Sequence, residues 1–307
     1  MFPEELFIRH YLDMSRWKEL EGKYPALLRE EDIVWEPLDR IGQVLGDFPL
    51  PNPYGSDPSC LEPISLRGGE IEGKVVVEEG VEIEPFVVIR ARDHPIFIGK
   101  GTKIMAFSRI EARDGELYIM GDAIIGPYTY ISGNGLISRG AAISSSSIRG
   151  KFFIGEGSSL CGSFVDGPAF IGSGCDVRHG SVIRQNSFLG DGVEFRSECK
   201  NSIVLDGSKA SHYSYIGDSI VGFDVNLGAG TKTGNLRIDE MEVQISLRGK
   251  VYRTGRRKFG AIIGDGTHTG CLVVFNPGAL IGPGSVIYPS MTPRGYYPPR
   301  SIVRQKG

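Results

Sequence analysis

Cysteine is scarce in this 307-residue chain, and no apolar run approaches the ~20 residues that a membrane span needs. The five cysteines (Cys60, Cys161, Cys175, Cys199, Cys271) are odd in number and form no CxxC pair. That usage points to reduced, mostly buried thiols in a cytoplasmic protein, with a disulfide framework as the alternative. The N-terminus, "MFPEELFIRHYLDM", carries acids and no signal-like apolar core, so neither a leader nor a membrane segment is expected. A net charge of −3 gives no electrostatic reason to expect nucleic acid or a membrane surface as partner. Glycine, by contrast, is abundant at 43 residues.

The chain divides into three parts. Residues 1–60 read as a helical N-terminal segment with a Pro-rich linker. "PEELFIRHYLDMSRWKELEGKY" sets Leu6, Ile8, Tyr11, Leu12 and Trp17 at mixed helical spacing. "REEDIVWEPLDRIGQVLGDF" offers Ile33, Trp35, Leu38, Ile41 and Leu45 as the apolar face of a second helix. "PLPNPYGSDPSC" (49–60) reads as the extended linker.

From about residue 68 the apolar residues recur every six positions. Val77, Ile83 and Ile89 form one set, and Ile98, Ile104 and Ile110 the next. Ile119, Ile125, Ile131, Ile137 and Ile143 then run in unbroken register, and Ile263 to Ile287 close the series. A glycine often follows, as in "IGKG", "IGEG", "LGAG" and "IGPG". This is the hexapeptide period of an all-β parallel β-helix spanning 61–293, with roughly ten coils. A sandwich would show strands spaced at about 8–12 residues and no fixed period. "DHP" (93–95) and "DGE" (114–116) read as corner loops, and Phe152, Phe164 and Tyr213 as outward aromatics. The insertion 236–260 reads as a projecting β-hairpin, because Met241, Val243, Ile245 and Leu247 alternate up to an Arg-Gly-Lys turn. Residues 294–307, "RGYYPPRSIVRQKG", read as a basic C-terminal tail.

"DGSKASHYSYIGDSIVGFDVNLGAGTKTGNLR" and the later "GRRKFGAIIGD" carry the most specific pattern. Together they resemble the acetyltransferase half of the bifunctional glucosamine-1-phosphate N-acetyltransferase / N-acetylglucosamine-1-phosphate uridylyltransferase family, in its archaeal-type sugar-1-phosphate nucleotidylyltransferase version. The close match covers about 194–290. The resemblance implies a left-handed coil, a homotrimer, acetyl-coenzyme A as co-substrate and an amino-sugar phosphate as acceptor, in nucleotide-sugar biosynthesis. It implies His212 as general base, a task that imidazole chemistry suits. It implies the Ala229 N–H as the donor to the thioester oxygen. Asn226 and Asn235 match asparagines that contact the sugar or acetyl group, and Tyr215 a tyrosine that holds the sugar phosphate. Glu198 and Lys200 match a Glu-x-Lys pair for the sugar and its phosphate, and Arg184 a phosphate-binding arginine.

Beside these, Arg256 and Lys258 are expected at the phosphates of coenzyme A or of the sugar, and Arg300 or Arg304 at a coenzyme phosphate of a neighbouring subunit. Blander readings stand next to them. His212 also fits a surface corner histidine, Asn226 a stacked corner asparagine, Glu198 with Lys200 a surface ion pair, and "TGRRKFG" a solvated hairpin base. The five histidines lack paired ligand spacing, which leaves a carbonic-anhydrase-like zinc site as a remote alternative and no metal expected. No "GGxGTR"-type loop occurs in residues 1–60, so the chain is not expected to make a nucleotide sugar alone. Met241 and Gln244 stand where archaeal-type relatives tend to carry lysines. The alternative function is a noncatalytic trimeric subunit that partners a separate nucleotidylyltransferase.

Overall fold

Apolar side chains of the hexapeptides point into the coil and stack on their equivalents one turn away, which is what makes six residues a structural unit. The computed structural model describes residues 2–20, 22–50 and 68–305. The stretch read as a linker lies mostly outside these residues, as does Cys60. The chain is largely a parallel β-solenoid of about 13 turns, more than the ten expected. It divides into two compact units, Pro49–Arg184 and Met1–Phe48 with Gln185–Gly307.

In the Pro49–Arg184 unit three inward ladders run in parallel register. Ile89, Ile110, Ile131, Ile148, Val165 and Ile183 line the first face. Val77, Ile98, Ile119, Ile137, Ile154 and Ile171 line the second. Ile83, Ile104, Ile125, Ile143, Leu160 and Val177 line the third. The segments read as "DHP" and "DGE" corner loops are instead internal to the continuous strands Val88–Ile98 and Arg109–Ile119. Their extra residues are taken up as a bulge, with a register shift between Ala112 and Leu117 and positive φ at Asp114 and Gly115. Phe152, expected outside, is 1% exposed, because Gly135 leaves room for its ring.

The second unit repeats the three faces. Cys199, Ile216, Thr233 and Phe275 stack on the first face, where a thiol and a hydroxyl hide the apolar period. Leu189, Val204, Val221, Ile263, Ile281 and Tyr297 stack on the second. Burial pushes the Cys199 thiol up to about 12, so it is inert packing. The insertion forms the expected hairpin, Gln244–Leu247 against Lys250–Arg253, turning at Arg248 and Gly249, both with positive φ. Val243, Ile245 and Leu247 are buried while Met241 is exposed. Residues 294–305 are not a free tail: Tyr296–Tyr297 and Ile302–Val303 wind the last coil.

The N-terminal segment packs on this second unit. It is less helical than its spacing suggests, because Leu6–Ile8 pairs with Asp32–Val34 through Ile8 N to Asp32 O (2.9 Å) and Val34 N to Leu6 O (2.9 Å). That pairing splits the first candidate helix into two 3₁₀ turns, Glu4–Leu6 and Ile8–His10, and α1 (Met14–Lys18), which Asp13 caps. The second candidate forms α2 (Glu36–Asp47), with Leu38, Ile41 and Leu45 buried and Pro37 in its first turn. Ile33 and Trp35 precede it. Tyr24 and Trp17 meet Phe188 of the coil edge to face, and Arg16 reaches Asp224 at 2.5 Å.

Candidate functional site around the His212 corner

Each coil of the second unit turns from its third face to its first through a short corner, and the motif residues cluster there. One coil leaves the third face at Ala210, passes Ser211, His212, Tyr213 and Ser214, and enters the first face at Tyr215. The next coil makes the same corner with Gly228, Ala229 and Gly230. Gly230 N donates to His212 O at 2.8 Å, and Leu272 N to Ala229 O at 2.8 Å, so His212, Ala229 and Cys271 follow one another up a single edge. A Cβ on Gly228 would stand 2.4 Å from Gly270, so only glycine lets these coils stack. The His212 ring is exposed and has no hydrogen-bond partner among the described residues. The Ala229 N–H likewise donates to no described group.

Strand register brings the remaining residues to either side. Asn226 lies on the third face just before the corner, exposed, bridged to Lys209 and His268. Glu198, Tyr215, Lys232 and Val274 form one outward row of the first face, with Lys200 opposite Gly217 in the next. Asn235 closes the far edge of that face. Its amide donates to Asp218 Oδ2 at 2.6 Å and to the Tyr215 hydroxyl at 3.3 Å. Lys258 bridges Leu236, and Phe259 N donates to Asn235 O at 2.9 Å, so Lys258 stands beside Asn235.

Other expected residues are placed differently. The Arg256 guanidinium, expected at a cofactor phosphate, is instead paired with Asp39 and stands 3.9 Å from Asp218. Burial lowers its pKa. Arg300 sits at the corner between the second and third faces, its N–H on Pro283 O. Arg304 follows Val303 on the third face and so falls on the same edge as His212, further along the coil. Arg184 is exposed and belongs to the Pro49–Arg184 unit. A cavity of about 590 Å³ opens at the hairpin base, lined by Leu236, Gln244, Ser246, Asn276 and Arg294. His212 is not among its walls. Among the described residues no group of three or more His, Cys, Asp or Glu is placed to hold a metal ion. No helix among them is long and apolar enough to cross a membrane.

Three residues of this region have no role assigned from the sequence, although Asp218 ends its His-x-x-Tyr-x-Gly-Asp pattern. Lys232, exposed beside Tyr215, donates to Tyr213 O at 3.3 Å. Asp218 and Asn201 are joined at 2.9 Å. The available signal for Lys232 was arithmetic, since it lies one coil beyond Tyr215.

Comparison with known proteins finds partial relatives. Over 113 residues the chain is 43% identical to a bifunctional sugar-1-phosphate nucleotidylyltransferase/acetyltransferase of Sulfurisphaera tokodaii, covering 37% of this chain and 27% of that one. Over 91 residues it is 48% identical to the bifunctional protein GlmU of Methanococcus maripaludis, covering 30% and 22%. The GlmU of Methanocaldococcus jannaschii is 40% identical over 106 residues, covering 34% and 25%. The chain thus spans about a quarter of the length of the curated relatives it matches. No protein-family model matches it. Among solved structures, a UDP-N-acetylglucosamine acyltransferase of Francisella novicida aligns over 70% of this chain and 64% of its own, at 14% identity and a TM-score of 0.27.

Proposed function

We propose that the chain is an acyltransferase that moves an acetyl group from acetyl-coenzyme A to the amine of an amino-sugar phosphate of the glucosamine-1-phosphate kind. The observation that carries this reading is the exposed His212 one coil below the open Ala229 N–H, with Tyr215 and Asn235 joined on the adjoining face. In the reaction the amine nitrogen attacks the thioester carbonyl and the thiolate leaves. His212 takes the proton released by nitrogen, and the Ala229 N–H holds the oxygen that gains charge. Tyr215, Asn226, Asn235 and Glu198 orient the sugar, while Lys200, Lys232 and Lys258 meet its phosphate.

The coenzyme lies along the His212 edge in this reading. Arg304 stands on that edge four coils on, roughly 19 Å away at the usual strand spacing, within reach of a coenzyme phosphate. A homotrimer of left-handed coils supplies the second wall that an exposed corner lacks. The test is acetylation of glucosamine-1-phosphate by the purified chain, followed by thiol release. Turnover that depends on His212 supports the reading. Absence of thiol release on any amino-sugar phosphate, with a nucleotidylyltransferase co-purifying, replaces it with a noncatalytic subunit.

A further inference from the structure

Asp218 is 4% exposed, adopts φ +48° and carries a carboxylate inside a polar knot. Its Oδ1 accepts from Asn201 at 2.9 Å and its Oδ2 from Asn235 at 2.6 Å. Two neutral amides do not balance a buried negative charge, and an unpaired one is expensive. The compensating cation is Arg256, whose Nη2 lies 3.9 Å from Oδ1 and whose side chain is 15% exposed. Arg256 has two further engagements: Nη1 pairs with Asp39 on α2, and Nε donates to Lys258 O at 3.2 Å. One guanidinium therefore joins the N-terminal helix, the return limb of the hairpin and the coil beneath Tyr215.

A second route runs beside the first. Trp35, at the start of α2, meets Phe259 edge to face at 6.4 Å. The Phe259 N–H in turn holds the Asn235 carbonyl at 2.9 Å. The backbone of Asn235 is thus tied to Trp35 through Phe259, and its side chain to Asp39 through Asp218 and Arg256.

We infer that Asp39 and Arg256 are positioning residues: through Asp218 and Phe259 the N-terminal segment sets the place of Asn235, and with it Tyr215 and Lys258. For its kinetic consequence this rests on the proposed function; the structural linkage stands without it. Asp39 itself is half exposed, so its replacement spares the core.

The experiment uses the full chain with Asp39→Asn, Asp39→Glu and Arg256→Lys. Amide hydrogen exchange is followed at 215–219 and 257–262, with 130–137 as an internal reference. Asp39→Asn is expected to speed exchange about tenfold in the first two segments only, and Asp39→Glu to restore it. In parallel, KM for glucosamine-1-phosphate rises about tenfold in Asp39→Asn with kcat changed less than threefold, since binding geometry and not the base is disturbed. Unchanged exchange in Asp39→Asn, or exchange accelerated equally at 130–137, overturns the linkage. Altered exchange with unaltered kinetics overturns the positioning role. Altered exchange in a chain inactive on every amino-sugar phosphate leaves the linkage standing and removes the proposed function instead.

Discussion

The phenol of Tyr215 lies back across Gly217, so close that a Cβ at position 217 would stand 2.5 Å from the hydroxyl oxygen. That packing fixes where the hydroxyl meets Asn235. Gly217→Ala must push the ring aside, whereas Tyr215→Phe keeps the ring and loses the hydroxyl that meets Asn235. Both are expected to raise KM for the amino-sugar phosphate, Gly217→Ala by about 30-fold and Tyr215→Phe by about tenfold, on the scale of one lost polar contact. Steady-state kinetics on the two variants checks the order. A Gly217→Ala enzyme with wild-type KM would show that Tyr215 plays no part in binding.

His212 is the residue whose loss should be felt in turnover. His212→Ala is expected to lower kcat by about 10²–10⁴-fold, the usual range for a general base, with the far-ultraviolet spectrum unchanged. The ring is exposed, so its removal spares the core. Full rate in the alanine variant removes the assignment.

Much of this was legible in the residues themselves. The inward positions Ile119, Ile125, Ile131, Ile137 and Ile143 follow from a strict period, and the Arg248-Gly249 turn from hairpin alternation. His212 and Ala229 were legible from motif, and one coil of register brings them together. The placements of Arg256 and Phe152 were not. A basic residue in "TGRRKFG" looks like any solvated cation until Asp39, 217 residues away in sequence, is packed against it. Phe152 turns inward only because a glycine one coil below, Gly135, gives it room. Likewise, the pairing of Leu6–Ile8 with Asp32–Val34 overrode local helical spacing. Contacts distant in sequence decide such cases, and no local period reports them.

Lys232 offers a cation beside Tyr215. Lys232→Ala is expected to raise KM for a sugar phosphate by about tenfold and to leave binding of the unphosphorylated amino sugar unchanged. Because the side chain is exposed, the effect should shrink as salt rises to about 0.5 M. Equal losses for phosphorylated and unphosphorylated acceptors would place Lys232 away from the phosphate.

Tyr213 and Leu272, 55% and 63% exposed, flank the His212 edge. The proposed trimer would cover this apolar surface. Light scattering at micromolar concentration should give a mass near three chains of 33.4 kDa. Tyr213→Glu with Leu272→Glu should shift it toward one chain. A monomeric wild type that is fully active removes the shared cleft.

The last prediction concerns how the N-terminal segment is fastened. Asp265 accepts from Asp13 N at 2.6 Å and from Phe223 N at 2.8 Å, and its own N–H donates to Tyr11 O at 3.0 Å. Burial raises its pKa from 3.8 to about 6, against the pull of those two donors and Arg16. A carboxyl whose folded pKa lies above its unfolded one binds the proton more tightly when folded. Its stabilising contribution is therefore complete only well below pH 3.8 and is lost as pH rises through 6. The whole shift corresponds to about 3 kcal/mol, reached only well below the unfolded pKa. Asp265→Asn abolishes this titration, whatever constant penalty the replaced acceptor brings. The stability of wild type relative to the variant should therefore fall by about 2 kcal/mol between pH 4 and pH 7. Both tryptophans, Trp17 and Trp35, lie in the segment that Asp265 fastens, so their fluorescence in urea titrations reports its release. A difference that stays flat across that range would mean that Asp265 ionises as freely in the folded chain as in water.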